Sequence, residues 1–210
     1  MLKLRILDLF CGAGGCSVGY ARAGFEVVGV DIGPQPHYPF EFHQADALTF
    51  PLEGFDAIHA SPPCQAYTSQ GRGRGHPELI APVRARVSGH LYVIENVVNA
   101  PLVNPILLCG SMFSLGVRRH RLFETNVDVE APRACEHAGQ EIRAYYGTWG
   151  REAFRARRPG NKDTLRGTVE RAPRDMGIDW MSWRELTQAI PPVYTEYIGR
   201  QLLRRLTQDE

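Results

Sequence analysis

The sequence predicts an α/β fold, a mostly parallel twisted sheet flanked by helices, and three observations carry that prediction. Residues 4–31 read as strand, glycine turn, short helix and second strand ending on an acid, the opening of a parallel sheet. Right-handed crossovers bring the glycine turn and that acid, Asp31, to one carboxyl edge. Further short apolar runs at 55–60, 91–95 and 121–125 supply more strands, the first two running into polar segments that belong at the same edge.

In chain order, Leu4 to Phe10 is a buried strand, Cys11-Gly12-Ala13-Gly14-Gly15 a tight turn, and Ser17 to Ala23 a helix closed by Gly24. Phe25 to Asp31 is the second strand, Gly33 to Pro39 a loop, and Glu41 to Ala45 a short strand ending at Asp46. Phe55 to Ala60 leads into Ser61-Pro62-Pro63-Cys64-Gln65. Gln70 to His76 has three glycines and no apolar anchor and is expected to be a mobile loop. Glu78 to Ser88 reads as helix, Leu91 to Glu95 as strand, Leu102 to Cys109 as a helical turn or two, and Arg121 to Thr125 as a late strand. From about Asn126 to Asp175 periodicity fades, which predicts a small irregular lobe. Order returns at Trp180. Ser182 to Glu185 fits a capping box, Pro191-Pro192 ends that helix, and Val193 to Leu206 has the spacing of a final helix docked on the sheet.

Composition bounds the function. A chain of 210 residues, 43% hydrophobic and 22% charged, suits one globular domain with a small appended lobe. Its apolar runs are too short to span a bilayer, and the charged start Met1 to Asp8 does not read as a signal peptide. Five cysteines without framework spacing favour a reducing, cytoplasmic setting. Residues 1–110 carry 7 basic and 9 acidic residues, whereas 111–210 carry 17 and 14. The stretch Arg143 to Arg174 holds nine basic residues against three acidic, a pattern that suits either a polyanion contact or a solvated arginine-rich surface.

Several residues have the chemistry of a site. Gly12, Gly14 and Gly15 let the backbone approach a ligand, and Asp31 is placed to accept the two hydroxyls of a ribose. NAD enzymes, flavoproteins and methyltransferases all use this arrangement, and a plain tight turn uses it too. Asp46, on the same edge, suits an adenine amino group or a simple cap. Two prolines fix the backbone in front of Cys64, and a thiol held at the mouth of a sheet can attack rather than stack. Cys11, Cys16 and Cys109 read instead as small buried hydrophobes. Glu95 ends a nearly apolar strand, where partial desolvation raises a carboxyl pKa and suits it to protonate or hydrogen-bond a heterocycle nitrogen; taken alone it suits a helix cap or a salt bridge equally well. Asn96 is placed to orient the loop. Arg118-Arg119-His120-Arg121 leads into the late strand, where alternation would turn Arg119 and Arg121 to one side, able to bind phosphate or polarise a base carbonyl; a solvated charge run has the same pattern. Cys135-Glu136-His137 has no second pair at ligand spacing, so no metal is expected.

Taken together, these residues resemble the cytosine-5 DNA methyltransferase family. Asp8-Leu9-Phe10-Cys11-Gly12-Ala13-Gly14-Gly15 is similar to its first motif, Pro63-Cys64-Gln65 to its nucleophile motif, and Glu95-Asn96-Val97 to its Glu-Asn-Val motif. Arg119 and Arg121 match its Gln-x-Arg-x-Arg motif, with Val117 in place of the Gln. The motifs occur in the family's order over residues 4–125, and 176–206 resemble its closing segment, although Tyr197-Ile198-Gly199-Arg200 stands where the family has Gly-Asn. The resemblance implies a Rossmann-like catalytic core at 1–125, a small basic target-recognition lobe at 126–175, and C-terminal helices at 176–210 returning to the core. It implies S-adenosylmethionine as cofactor, held by Phe10, Cys11, Gly12, Gly14, Gly15, Asp31, Ile32, Asp46, Ala47 and Pro63. It implies Cys64, Glu95, Arg119 and Arg121 as catalytic residues, and Gln65, Asn96, Arg72 and Arg74 at the substrate. The expected reaction is methylation of cytosine C5 through a Cys64–C6 adduct on a flipped-out base. The expected partner is double-stranded DNA, bound by a monomer in the cytoplasm of a prokaryotic or phage-infected cell. The alternatives are the same chemistry on RNA, a single strand or a free nucleotide, and a non-catalytic nucleic-acid-binding module of the same fold; a dehydrogenase is the more distant one.

Overall fold

The structure is a computed structural model and describes residues 3–68, 71, 73–138, 142–145, 164–166 and 170–208. Seven strands form one sheet: β1 (Arg5–Leu9), β2 (Glu26–Asp31), β3 (Glu41–Gln44), β4 (Ala57–Ala60), β5 (Tyr92–Asn96), β6 (Ile106–Leu108) and β7 (Arg121–Thr125). Their order is β3-β2-β1-β4-β5-β7-β6. The pairs from β3 to β5 are parallel, and β7 runs antiparallel to both β5 and β6. This is the mostly parallel, Rossmann-like sheet that the sequence predicts. The helices are α1 (Gly15–Ala23), α2 (Ile80–Val87), α3 (Ala172–Met176), α4 (Trp183–Gln188) and α5 (Pro192–Gln208), and α4 opens on the expected capping box, the Ser182 N–H donating to Glu185 at 2.7 Å. None of these helices is long and apolar enough to cross a membrane.

Alternation along the strands sorts the core into two layers. Ile6, Ala57, Val93 and Phe123 pack on one face with Tyr20 of α1 and Ile198 and Leu202 of α5. Leu7, Leu9, Val28, Val30, Ile58, Ala60 and Ile94 pack on the other with Val83 and Val87 of α2. The same period places Asp8, His59 and Glu95, each two residues beyond an apolar residue of the first face, in the layer under α1 and α5. All three are buried.

α1 and α5 lie in close contact, and Gly19 permits it. A Cβ there would overlap Thr195 Oγ1 and the Pro192 carbonyl and fall 2.7 Å from the Glu196 nitrogen. Alanine is the better helix former by about 1 kcal/mol, but the overlap is mainly with the α5 backbone, which cannot rotate away. Gly19→Ala should therefore destabilise the protein by about 1–3 kcal/mol, read as a lower urea midpoint. An unchanged midpoint would mean that the two helices have room to separate.

Two elements differ from expectation. Leu102 to Cys109 is not helical: Pro105 precedes the apolar run Ile106-Leu107-Leu108, which pairs with β7 as an edge strand, and a single 3₁₀ turn follows at Gly110–Phe113. A proline disfavours the helical conformation for the residue before it, and a short apolar run next to an open sheet edge gains more as a strand. The stretch read as irregular contains a parallel pair, β8 (Ile142–Ala144) with β9 (Thr164–Arg166), and α3 begins inside it at Ala172. Ala172 and Met176 are buried with Leu186 and Ile178, which ties this segment to α4. Most of the basic stretch 143–174, together with residues 69, 70 and 72 at the start of the expected loop, lies outside the described residues.

Candidate functional site

The carboxyl edge of the sheet gathers the residues singled out from sequence. The chain leaves β1 through Phe10, whose φ of 59° is unusual for a bulky side chain, and turns at Gly14 with φ 86° before entering α1. Asp31, at the end of β2, accepts the Gly12 N–H on one oxygen and the Gly33 N–H on the other, each at 3.0 Å. Ile32 beside it is 73% exposed, a large apolar surface left facing solvent at this edge. Asp46, beyond β3, is exposed and accepts the Leu48 N–H at 2.9 Å. Ala47 and Cys11, two of the expected cofactor contacts, are buried. Trp180 holds the turn from outside, its indole N–H donating to the Ala13 carbonyl at 2.9 Å.

The second half of the edge is built on β4, β5 and β7. Cys64 is half-buried and starts a 3₁₀ turn, Gln65–Tyr67, while Pro62 is buried and Pro63 and Gln65 are exposed. Asn96 fixes that loop: its side-chain amide donates to the Pro62 carbonyl at 2.8 Å, and its oxygen accepts the Val97 N–H at 3.0 Å. Glu95 is 5% exposed. Arg121 Nε lies 3.0 Å from Glu95 Oε1, an ion pair rather than an aligned hydrogen bond. Arg119 has a φ of 34° and donates to the Thr187 carbonyl at 2.8 Å, and Tyr194 donates to the Arg119 carbonyl at 2.9 Å. The segment after β9 thus holds the arginine loop as well as the glycine turn. Arg74 is exposed, on a turn closed by its N–H to the Gly71 carbonyl at 3.1 Å.

The electrostatics couple these groups. Burial raises the Cys64 thiol above its ordinary value and Glu95 pushes it the same way, while Arg121 and Arg119 favour the thiolate. Burial likewise raises the Glu95 carboxyl, opposed by Arg121, Ser61 and Arg119. A thiol, a carboxyl and two guanidiniums therefore share one field.

Sequence reasoning missed the polar layer beneath. His59 Nδ1 meets the Tyr20 hydroxyl at 2.9 Å and its Nε2 meets the Ser61 hydroxyl at 2.8 Å. Burial pushes the imidazole down to about 3, so it is neutral. Because Ser61 donates to Glu95, the assigned proton order runs from Tyr20 to Nδ1, from Nε2–H to Ser61, and from Ser61 to Glu95. Asp8 is buried under the glycine turn, bonded to Ser17, which also contacts the Tyr38 hydroxyl at 2.8 Å; burial raises its carboxyl to about 7. The signal was period two: a His and an Asp inside otherwise apolar strands share a face with Glu95.

One expectation is corrected. Cys109 is fully buried, yet it is not a simple hydrophobe: its sulfur accepts the Ser111 hydroxyl at 3.3 Å and lies 3.4 Å from His137 Nε2.

Comparison with known proteins adds the following. The profile of the family C-5 cytosine-specific DNA methylase matches residues 4–79. Type II methyltransferase M1.HphI of Haemophilus parahaemolyticus is 33% identical over 90 residues, covering 34% of this chain and 24% of that protein. Type II methyltransferase M.FnuDI of Fusobacterium nucleatum is 32% identical over 82 residues, with the same two coverages of 34% and 24%. The chain thus spans about a quarter of the length of the curated relatives it matches. Among solved structures, one described as a DNA modification methyltransferase encoded within an E. coli prophage superposes with a TM-score of 0.65 at 17% identity, covering 98% of this chain and 100% of that one. S. pombe Dnmt2 methyltransferase superposes with a TM-score of 0.62 at 14% identity, covering 97% and 99%. At these identities the structural likeness establishes the fold.

Proposed function

We propose that the protein, whose residues 4–79 match the profile of the C-5 cytosine-specific DNA methylases, methylates cytosine at C5 in DNA, with S-adenosylmethionine as methyl donor. The observation that carries this reading is the convergence of Cys64, Glu95, Arg119 and Arg121 at the sheet edge that also holds the glycine turn and Asp31. The residues present fit the cofactor. Asp31 is fixed by two backbone N–H groups and keeps lone pairs for a ribose diol, Ile32 offers an exposed apolar face to an adenine, and Asp46 is exposed for its amino group. When bound, S-adenosylmethionine supplies an electrophilic methyl on a sulfonium centre.

The chain's own residues do the rest. Cytosine C5 is a poor nucleophile. The Cys64 thiolate adds to C6 and makes the ring an enamine, nucleophilic at C5. Glu95 holds N3 and the exocyclic amine and neutralises the charge that addition places on the ring. Arg121 and Arg119 favour the Cys64 thiolate and help to hold the base. Asn96 keeps the Pro62-Pro63 backbone, and so the thiol, in place. After loss of the C5 proton, Cys64 leaves by elimination. A cytosine inside a duplex stack is out of reach of Cys64, so the base is flipped out. The basic lobe at 126–175 and Arg72 and Arg74 are assigned to the phosphate backbone.

The test is nucleoside mass spectrometry after incubation with S-adenosylmethionine and, in parallel, duplex DNA, single strands and RNA. 5-Methylcytosine from duplex DNA is the expected result. Product from RNA or single strands alone would move the substrate and keep the chemistry, and no product from any of them would favour a binding module. Phosphate contacts by the basic lobe predict that duplex affinity falls steeply as salt rises, linearly on logarithmic axes. A flat salt dependence in a filter-binding titration would remove the lobe from that role.

A further inference from the structure

We propose that Cys109, His120, Cys135 and His137 bind a structural zinc ion that fastens the start of the lobe to the arginine loop. Three segments of the chain deliver these side chains. Cys109 follows β6, His120 immediately precedes β7, and Cys135 and His137 lie in the strandless stretch after it. One ligand atom from each lies within 4.8 Å of every other. Nε2 of both histidines faces the sulfurs: Cys135 Sγ is 2.9 Å from His137 Nε2 and 3.2 Å from His120 Nε2, and Cys109 Sγ is 3.4 Å from His137 Nε2. A tetrahedral zinc with Zn–S of about 2.3 Å and Zn–N of about 2.0–2.1 Å sets its ligand atoms about 3.3–3.8 Å apart. The three sulfur–nitrogen distances fall short of that range by at most about 0.4 Å, and no pair of ligand atoms exceeds it by more than about 1 Å.

The surroundings suit a metal better than they suit four neutral side chains. Two thiolates balance a zinc dication, so the loaded site is uncharged. The Ser111 hydroxyl already donates to Cys109 Sγ, and Arg133 holds the Ser111 carbonyl at 2.7 Å, an outer layer that orients a sulfur ligand. Two sulfurs and two imidazoles in a closed set are the donor preference of structural zinc. The sequence offered Cys135-x-His137 alone, because the partners Cys109 and His120 lie 26 and 15 residues upstream of Cys135. There is also a need for such an anchor. Residues 126–138 form no helix or strand, and a segment with so little hydrogen-bonded structure benefits from a staple. His120 sits between Arg119 and Arg121, so the ion would also steady the two guanidiniums at Glu95.

The site does not depend on the proposed methyl transfer, and its test needs no turnover. Metal analysis of the full-length native chain should find about one zinc per chain. Cys135→Ser and His137→Ala, at the less buried positions, should each lower zinc retention against a chelator by about tenfold or more, while circular dichroism stays native. Cobalt(II) added to the metal-stripped chain should give tetrahedral d–d and thiolate charge-transfer bands that Cys135→Ser loses. Cys64→Ala should keep the zinc. Absence of both zinc and the cobalt spectrum, undiminished zinc in both variants, or a Cys109–Cys135 disulfide in the native chain would each overturn the assignment.

Discussion

Cys64→Ala should bind S-adenosylmethionine as the wild type does and lose methyl transfer by about a thousandfold or more. The separation follows from the architecture. The cofactor-side groups, Asp31, Ile32 and the glycine turn, sit on β1 and β2, and none of their hydrogen bonds passes through Cys64. The loop carrying the thiol is held by Asn96 on the Pro62 carbonyl, a contact that truncation at Cβ leaves alone. What is lost is the sulfur that makes C5 nucleophilic. Cofactor affinity by calorimetry and methyl incorporation into duplex DNA give the two readings. Normal turnover would remove Cys64 from the mechanism. Loss of cofactor affinity together with turnover would show that the loop, rather than the thiol, had been damaged.

What was legible in the sequence was local. The glycine turn, Asp31, the proline-braced Cys64 and Glu95-Asn96 each follow a short apolar strand, and parallel strands deliver such residues to one edge whatever the details of packing. What was not legible depends on pairing between distant segments. Ile106-Leu107-Leu108 carries no signal that distinguishes a helical turn from an edge strand until β7 lies beside it. His59 looks like an ordinary polar interruption in Ala57-Ile58-His59-Ala60, and only the fold sets Tyr20 and Ser61 on its two nitrogens. Gly19 reads as a mild helix weakness until α5 is packed against it. Cys109 stands isolated in the sequence and so reads as a small hydrophobe, whereas its spatial neighbours are Ser111, Cys135 and His137. The proposed ribose and nucleophile positions, Asp31 and Cys64, are therefore legible from spacing, and the groups that support them only from topology.

Glu95→Gln is expected to lower kcat by about a hundredfold to ten-thousandfold, with a smaller change in KM, and to change the form of the pH profile. The amide keeps the size of the side chain, an acceptor oxygen for Ser61 and an N–H donor for the base, but it cannot deliver a proton or carry compensating charge. In the proposed mechanism the productive state pairs a Cys64 thiolate with a protonated Glu95. Burial raises both groups, the carboxyl from 4.5 and the thiol from 9.0. While the carboxyl remains the more acidic of the two, kcat/KM follows a bell: it rises as pH passes the lower apparent pKa and falls beyond the upper one, with the two values belonging to the coupled pair. Removing the ionisable carboxyl leaves the thiol alone, so the variant should show a single rise through the thiol pKa with no alkaline fall. That pKa should itself move down, because the negative neighbour that raised it is gone while Arg121 and Arg119 remain. A structural role for Glu95 as a mere partner of Arg121 would lower activity without altering the number of limbs. A variant that keeps the bell, with its acid limb in place, would assign that limb to another group and would take the proton from Glu95.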